Sequence, residues 1–218
     1  FGPKIEIIAP WRKWKLNSRP DLINYAKKKN IPIPKDKKGA PPFSIDDNLY
    51  HTSTEGKILE NPKNSAPEFI FQRTNSPEKS PNKYTIVNIG FKNGDPITIN
   101  GKKLSPSNLL EKLNVLAGKN GIGRVDLVEN RFIGIKSRGV YETPGGTVLM
   151  LAHRAIESVT LDKKTMHKKD EVMPRYAELI YNGYWFSKER FKIQKIVDLK
   201  KSKVHGSIKL KLYKGNVT

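Results

Sequence analysis

Residues 84 to 104, YTIVNIGFKNGDPITINGKKL, constrain the fold more than any other stretch of the chain. Apolar and polar residues alternate on both sides of Asn93-Gly94-Asp95, the period of a strand with one face buried. Asn-Gly accepts the positive φ values of a tight turn, so the two runs are expected to fold back on each other as a β-hairpin. A helix is expected next, in SPSNLLEKLNVLAGKNG (105–121). Ser105 can cap it, Pro106 suits its first position, and Leu109, Leu110, Leu113, Leu116 and Ala117 recur on one face before a closing glycine. Downstream, GRVDLVENRFIGIK (123–136) reads as a strand pair or a bulged strand, and PGGTVLMLAHRAIESVT (144–160) as a helix starting after its glycines. Residues 162–182 and 188–200 read as two more helices, and SIKLKLY (207–213) as a closing alternating strand. Strands and helices in mixed order predict an α+β domain with a largely antiparallel sheet and packed helices.

The first part of the chain reads differently. KIEIIA (4–9) has the apolar content of a buried strand. Ser18 can cap a helix in SRPDLINYAKKKN, whose Leu22, Ile23, Tyr25 and Ala26 share apolar spacing and whose lysines fall in the last turn. IPIPKDKKGAPP (31–42) has the composition of a linker and puts a domain boundary near Pro34, giving units of 1–34 and 35–218. Residues 43–80 show no sustained period and are expected to be an extended, loop-rich excursion anchored by scattered apolar residues.

Composition narrows the function. The 218 residues include 36% apolar and 28% charged positions, with no run near the roughly 18 apolar residues of a membrane span. There is no secretory leader pattern and no cysteine, so the expected location is the cytoplasm. A net charge of +20 and a sequence pI near 10.0 raise an RNA-binding module as an alternative. Against it, 32 of the 41 basic residues are lysines spread along the chain, whereas readers of nucleic acid favour the planar fork of arginine. A lysine-rich solvated surface is the preferred reading, with no specific nucleic-acid partner. The opening run without an initiating methionine and the close just after a strand are those expected of a fragment.

Several chemistries lack support. The histidines (51, 153, 167 and 205) are far apart, with no metal-ligand spacing, so no metal site is expected. There is no cysteine and no Gly-x-Ser-x-Gly elbow, and no catalytic residue is identified. GKNGIG (118–123) lacks the spacing and ending of a phosphate loop and reads as a helix cap followed by a tight turn. Two segments remain. FSIDDNLYHTSTEG (43–56) concentrates short hydrogen-bonding side chains, which suit either turns or a polar ligand. In GIGRVDLVENRFIGIKSRGVYETPGG, Glu129 follows two apolar residues and needs a partner: either a nearby arginine, Arg131 or Arg138, or a ligand ammonium.

Together APWR, SIDDNLYHTSTEGKILENP, GIGRVDLVENRFIGIKSRGVYETPGGT, MPRYAELIYNGYWFS and LKLYKGNV, in this order along nearly the whole chain, resemble the argininosuccinate synthase family. The resemblance implies a carbon–nitrogen ligase that joins citrulline to aspartate in arginine biosynthesis and the urea cycle, with ATP, accompanied by Mg2+, as cosubstrate. AMP and pyrophosphate would leave through a citrullyl-adenylate. Carried over by position, the citrulline contacts are Ser44, Ser53, Glu129 and Tyr141, with Arg131, Lys136 and Arg138 left as scaffold or interface charges. Residues 1–34 resemble the last strand and helix of the family's α/β nucleotide-binding domain. The Ser-Gly-Gly-x-Asp-Thr-Ser pyrophosphate loop of that domain does not occur here, so no ATP contact is expected within the chain. The family's C-terminal arm, used in forming a homotetramer, is expected beyond Thr218, and the chain alone is expected to be inactive.

Overall fold

A computed structural model describes residues 3–33 and 43–218, and the chain divides into two compact units, Phe1–Phe43 and Ser44–Thr218. Pro34, where the sequence suggests a boundary, lies outside the described residues.

In the first unit the expected helix is α1, Arg19–Lys28. The Asp21 amide donates to the Ser18 hydroxyl oxygen while the Ser18 amide and hydroxyl donate to the Asp21 carboxylate, closing a reciprocal capping box. The expected strand at 4–9 does not form. Ile5, Ile7 and Ile8 are 75%, 88% and 76% exposed, and the run has no ladder partner among the described residues. An apolar sequence becomes a strand only when another strand takes up its backbone donors and acceptors.

The second unit is α+β, as its mixed order implies, but it holds two antiparallel sheets. Its elements are β1 (Ser44–Asp47), β2 (Thr52–Glu55), β3 (Thr85–Lys92), β4 (Asp95–Ile99), β5 (Lys102–Lys103), α2 (Pro106–Lys119), β6 (Arg124–Asn130) and β7 (Lys136–Glu142). These are followed by α3 (Pro144–Thr160), α4 (Lys163–Tyr181), α5 (Lys188–Val197), β8 (Gly206–Tyr213) and β9 (Asn216–Val217). The larger sheet runs β5-β4-β3-β8-β9, and the smaller runs β1-β2-β7-β6.

The larger sheet carries the core. The β3–β4 hairpin turns through Asn93 and Gly94, both at positive φ. Val87, Ile89 and Phe91 of β3 with Leu210 and Leu212 of β8 pack against Leu109, Leu113 and Ala117 of α2 and Val148, Ala152 and Ile156 of α3. The caps are as expected: Ser105 accepts from the Asn108 amide, and Gly121 and Gly123 make the turn after α2 at positive φ. Residues 43–80 are more ordered than their composition suggests, since they include the β1–β2 hairpin and two single turns of 3-10 helix at Lys57–Glu60 and Glu68–Ile70. Among the described residues no helix is long and apolar enough to cross a membrane.

Candidate functional site

The smaller sheet brings the four sequence-selected residues together. Side chains alternate faces along a strand, so cross-strand register decides which share one. Ser44 pairs with Glu55 and Asp46 with Ser53; Ser53 in turn pairs with Tyr141. Tyr141 pairs with Val125, Gly139 with Leu127, and Ser137 with Glu129. Ser44, Ser53, Tyr141 and Glu129 therefore stand on one face, with one of them on each of the four strands. Neighbouring strands lie about 4.8 Å apart, so this face is about 14 Å wide, on the scale of an extended amino acid with its side chain.

The face is polar and only partly buried. The Tyr141 hydroxyl donates to Glu129 Oε1 at 2.8 Å. Partial burial, and then the hydrogen bond and negative charge of Glu129, push the Tyr141 phenol up to about 12. It is therefore a neutral donor at any physiological pH. The Ser44 and Ser53 hydroxyls form no hydrogen bond among the described residues, so their donors and acceptors remain available. Arg131 bridges two strands at the edge of the face, donating to Glu55 Oε2 at 2.5 Å and to the Ser137 hydroxyl at 3.2 Å. Together these groups offer hydroxyl donors and a carboxylate with a second oxygen to spare, which suits a zwitterion. Among the described residues no group of three or more His, Cys, Asp or Glu is placed to hold a metal ion.

Neither arginine suggested by sequence pairs with Glu129. Arg131 goes to Glu55, and Arg138 stands on the opposite face, where Asp126 accepts from it at 2.8 and 2.7 Å. The Asp126 carboxyl is held below the ordinary carboxylate range by its hydrogen bonds to that guanidinium. Arg138 also donates to the carbonyls of Leu59, Asn61 and Asn64, so it is a scaffold residue that fastens residues 57–64 under the sheet. Lys136 donates to the side chain of Asn130 at 2.8 Å.

Sequence reasoning missed Glu142. Its buried carboxylate accepts from the amides of Gln72, Arg73 and Thr74 at 2.8, 2.9 and 2.9 Å and from the Thr74 hydroxyl at 2.7 Å. Arg124 completes this anchor, donating to the Thr74 hydroxyl and carbonyl and to both oxygens of Glu68. The signal was present in strand parity, because 138, 140 and 142 must face away from 137, 139 and 141.

Gly145 and Gly146 also differ from expectation, since they lie inside the first turn of α3 rather than before it. A Cβ on Gly145 would come within 2.7 Å of Asn114 Oδ1, and one on Gly146 within 2.8 Å of the Tyr50 ring. These glycines permit close packing of α3 on its neighbours; they are not turn residues. A separate cavity of about 530 Å3 lies beside α3 and α4, near His153, Glu157 and Lys169. Lys169 is ion-paired with Glu157, Arg154 with Asp170 and Lys201 with Asp95, and Asp198 accepts from the Gln194 side chain, so most charges lining it have a partner within the chain.

Fold and face define a class first: an α+β domain of two antiparallel sheets that gathers two serines, a tyrosine and a glutamate on one open face of the smaller sheet, with no cysteine in the sequence. Comparison with known proteins then gives the family. The sequence model described as Arginosuccinate synthase C-terminal domain matches residues 43–218, and the chain belongs to that family. It is 85% identical over 218 residues to the argininosuccinate synthase of Pelagibacter ubique, covering all of this chain and 55% of that protein. It is 60% identical over 217 residues to the argininosuccinate synthase of Mesorhizobium japonicum and 61% identical over 217 to that of Bartonella bacilliformis, covering 53% of each. The chain thus spans about half the length of the curated relatives it matches.

Proposed function

We propose that this chain is the citrulline-binding part of an argininosuccinate synthase, a ligase that condenses citrulline with aspartate in arginine biosynthesis. The observation that carries this reading is the shared face of Ser44, Ser53, Glu129 and Tyr141, with the Tyr141 hydroxyl 2.8 Å from Glu129. Citrulline has a neutral ureido side chain and a zwitterionic head. Glu129 keeps one oxygen for the head's ammonium, while the serine hydroxyls can bond its carboxylate. The ureido oxygen would attack the α-phosphate of ATP, and the aspartate amine would displace AMP from the citrullyl-adenylate. The reacting atoms belong to the substrates, so the protein acts by positioning and charge balance, which can lower the barrier by about 7–11 kcal/mol.

Residues 1–34 are proposed to be the end of the nucleotide-binding domain. Two observations support this: the C-terminal-domain match starts at residue 43, and the apolar run at 5–8 is exposed without a ladder partner among the described residues. ATP, with Mg2+, would then be held mainly by the remainder of that domain. The complete enzyme would be a cytoplasmic homotetramer.

The test uses the full-length protein that carries this chain. It should form AMP only when citrulline, aspartate and ATP are all present, whereas residues 1–218 alone should form none. A hydrogen bond to a charged group is worth about 1.5–3 kcal/mol, so Glu129→Gln should raise the citrulline KM at least about tenfold. An unchanged citrulline KM and kcat in Glu129→Gln would discard the site assignment.

A further inference from the structure

We infer that Gly139 is a positioning residue of this face: lacking a side chain, it leaves the space through which the Tyr141 ring crosses β7 to hold the Glu129 carboxylate. The inference rests on the citrulline-binding role proposed for the face. Register sets the problem. Tyr141 stands opposite Val125, but its hydrogen-bond partner Glu129 stands opposite Ser137, four residues along the sheet. The position between them on β7 is Gly139, opposite Leu127. To meet Glu129, the phenol must lie over that position.

A Cβ built on Gly139 shows how closely it does so. It would stand 2.6 Å from Tyr141 Cε2, 2.8 Å from the hydroxyl oxygen and 2.9 Å from Cζ, and its three nearest neighbours all belong to this one side chain. The backbone supplies no other reason for glycine, since Gly139 is absent from the positive-φ glycines of the chain and sits in regular antiparallel pairing. Glycine inside a strand weakens it relative to alanine, because it has more freedom to lose and no side chain to pack. Here the weaker strand residue is offset by the Tyr141–Glu129 contact. With Tyr141 bonded to Oε1, the other carboxylate oxygen of Glu129 has no protein partner among the described residues and is left for a ligand cation. An alanine at 139 would lift the ring, break that bond and let the carboxylate swing.

The experiment compares four forms of the full-length protein: the parent, Gly139→Ala, Tyr141→Ala and the double variant. Gly139→Ala should raise the citrulline KM about tenfold and leave the aspartate KM unchanged. Observed by NMR with 13Cζ-labelled tyrosine, the Tyr141 titration should fall from about 12 toward the ordinary phenol value. On the Tyr141→Ala background, adding the alanine at 139 should change neither KM nor stability for the worse. Unchanged KM and titration in Gly139→Ala would overturn the inference. So would an equal rise in KM on both backgrounds, which would place the crowding elsewhere. Should Gly139→Ala fail to fold, the double variant is expected to fold, and its failure too would overturn the inference. A parent protein without citrulline-dependent AMP formation refutes the proposed function instead, and the Tyr141 titration then decides the positioning role alone.

Discussion

Glu129 and Glu142 lie on neighbouring strands of one sheet and are set opposite tasks. Glu142 is 2% exposed and accepts four hydrogen bonds from the chain itself, whereas Glu129 is half-buried and accepts one, from Tyr141. Glu142→Ala leaves three amides and a hydroxyl without an acceptor, at about 1–3 kcal/mol for each group that stays buried. We expect urea unfolding to show a loss above about 2 kcal/mol for Glu142→Ala, and much less for Glu129→Gln, which removes no anchor. The Tyr141 phenol adds a pH dependence with a definite sign. Its folded-state value is raised from an ordinary 10 to about 12, so the neutral form is favoured in the fold. The corresponding stability is fully present below pH ~10 and is lost as pH rises through about 12. Urea midpoints measured across that window should fall more steeply for the parent than for Tyr141→Phe. Ser44, Ser53, Glu129 and Tyr141 were selected from their sequence words, and strand register puts them on one face. The partner of Glu129 was not legible, because nearness in sequence pointed to Arg131 and Arg138, and strand parity sends Arg138 to the other side.

At the scale of elements, what could be read locally was read well. The Asn-Gly hairpin, the Ser-capped helices α1 and α2 and the closing strand β8 each carry their own turn, cap or period, whereas 123–136, expected to be a strand pair or a bulged strand, holds β6 and a turn, with the pairing strand β7 running from Lys136 to Glu142. The failures are non-local. β1 and β2 are four residues each, SIDD and TSTE, with almost no apolar signal. They become strands because β2 pairs with β7, nearly ninety residues downstream. Conversely KIEIIA has the apolar signal and lacks a partner among the described residues. Two element-level predictions follow from packing. Leu113 is fully buried between α2 and the larger sheet, and Leu113→Ala should cost about 2–5 kcal/mol in urea unfolding. Arg138→Ala removes the donor to three loop carbonyls, so amide hydrogen exchange should speed up in residues 57–64 while β3 and β8 keep their protection.

Over the whole molecule, the charge of +20 is less available to nucleic acid than its size implies. Arg73, Arg124, Arg131, Arg138, Arg154 and Arg175 all hold carboxylates of the same chain. Arg190 lies over the rings of Trp185 and Phe191. The guanidinium forks that read bases and phosphates are therefore largely committed internally, and the remaining excess is dispersed lysine. The RNA-binding alternative has nothing in fold or family to support it. Retention of single-stranded RNA on filters at about 0.15 M salt should be no stronger than that of other proteins of similar charge, since screening weakens dispersed contacts first. The two-sided strand β7 has a last consequence, for how such a protein can change over generations. Losing or gaining one residue within it would exchange Ser137, Gly139 and Tyr141 with Arg138, Val140 and Glu142, turning the Glu142 anchor and the Tyr141 phenol each to the wrong face. Length can drift at the 132–134 tip, where no ladder is kept, but along the strand itself the reading frame of the two faces forbids it.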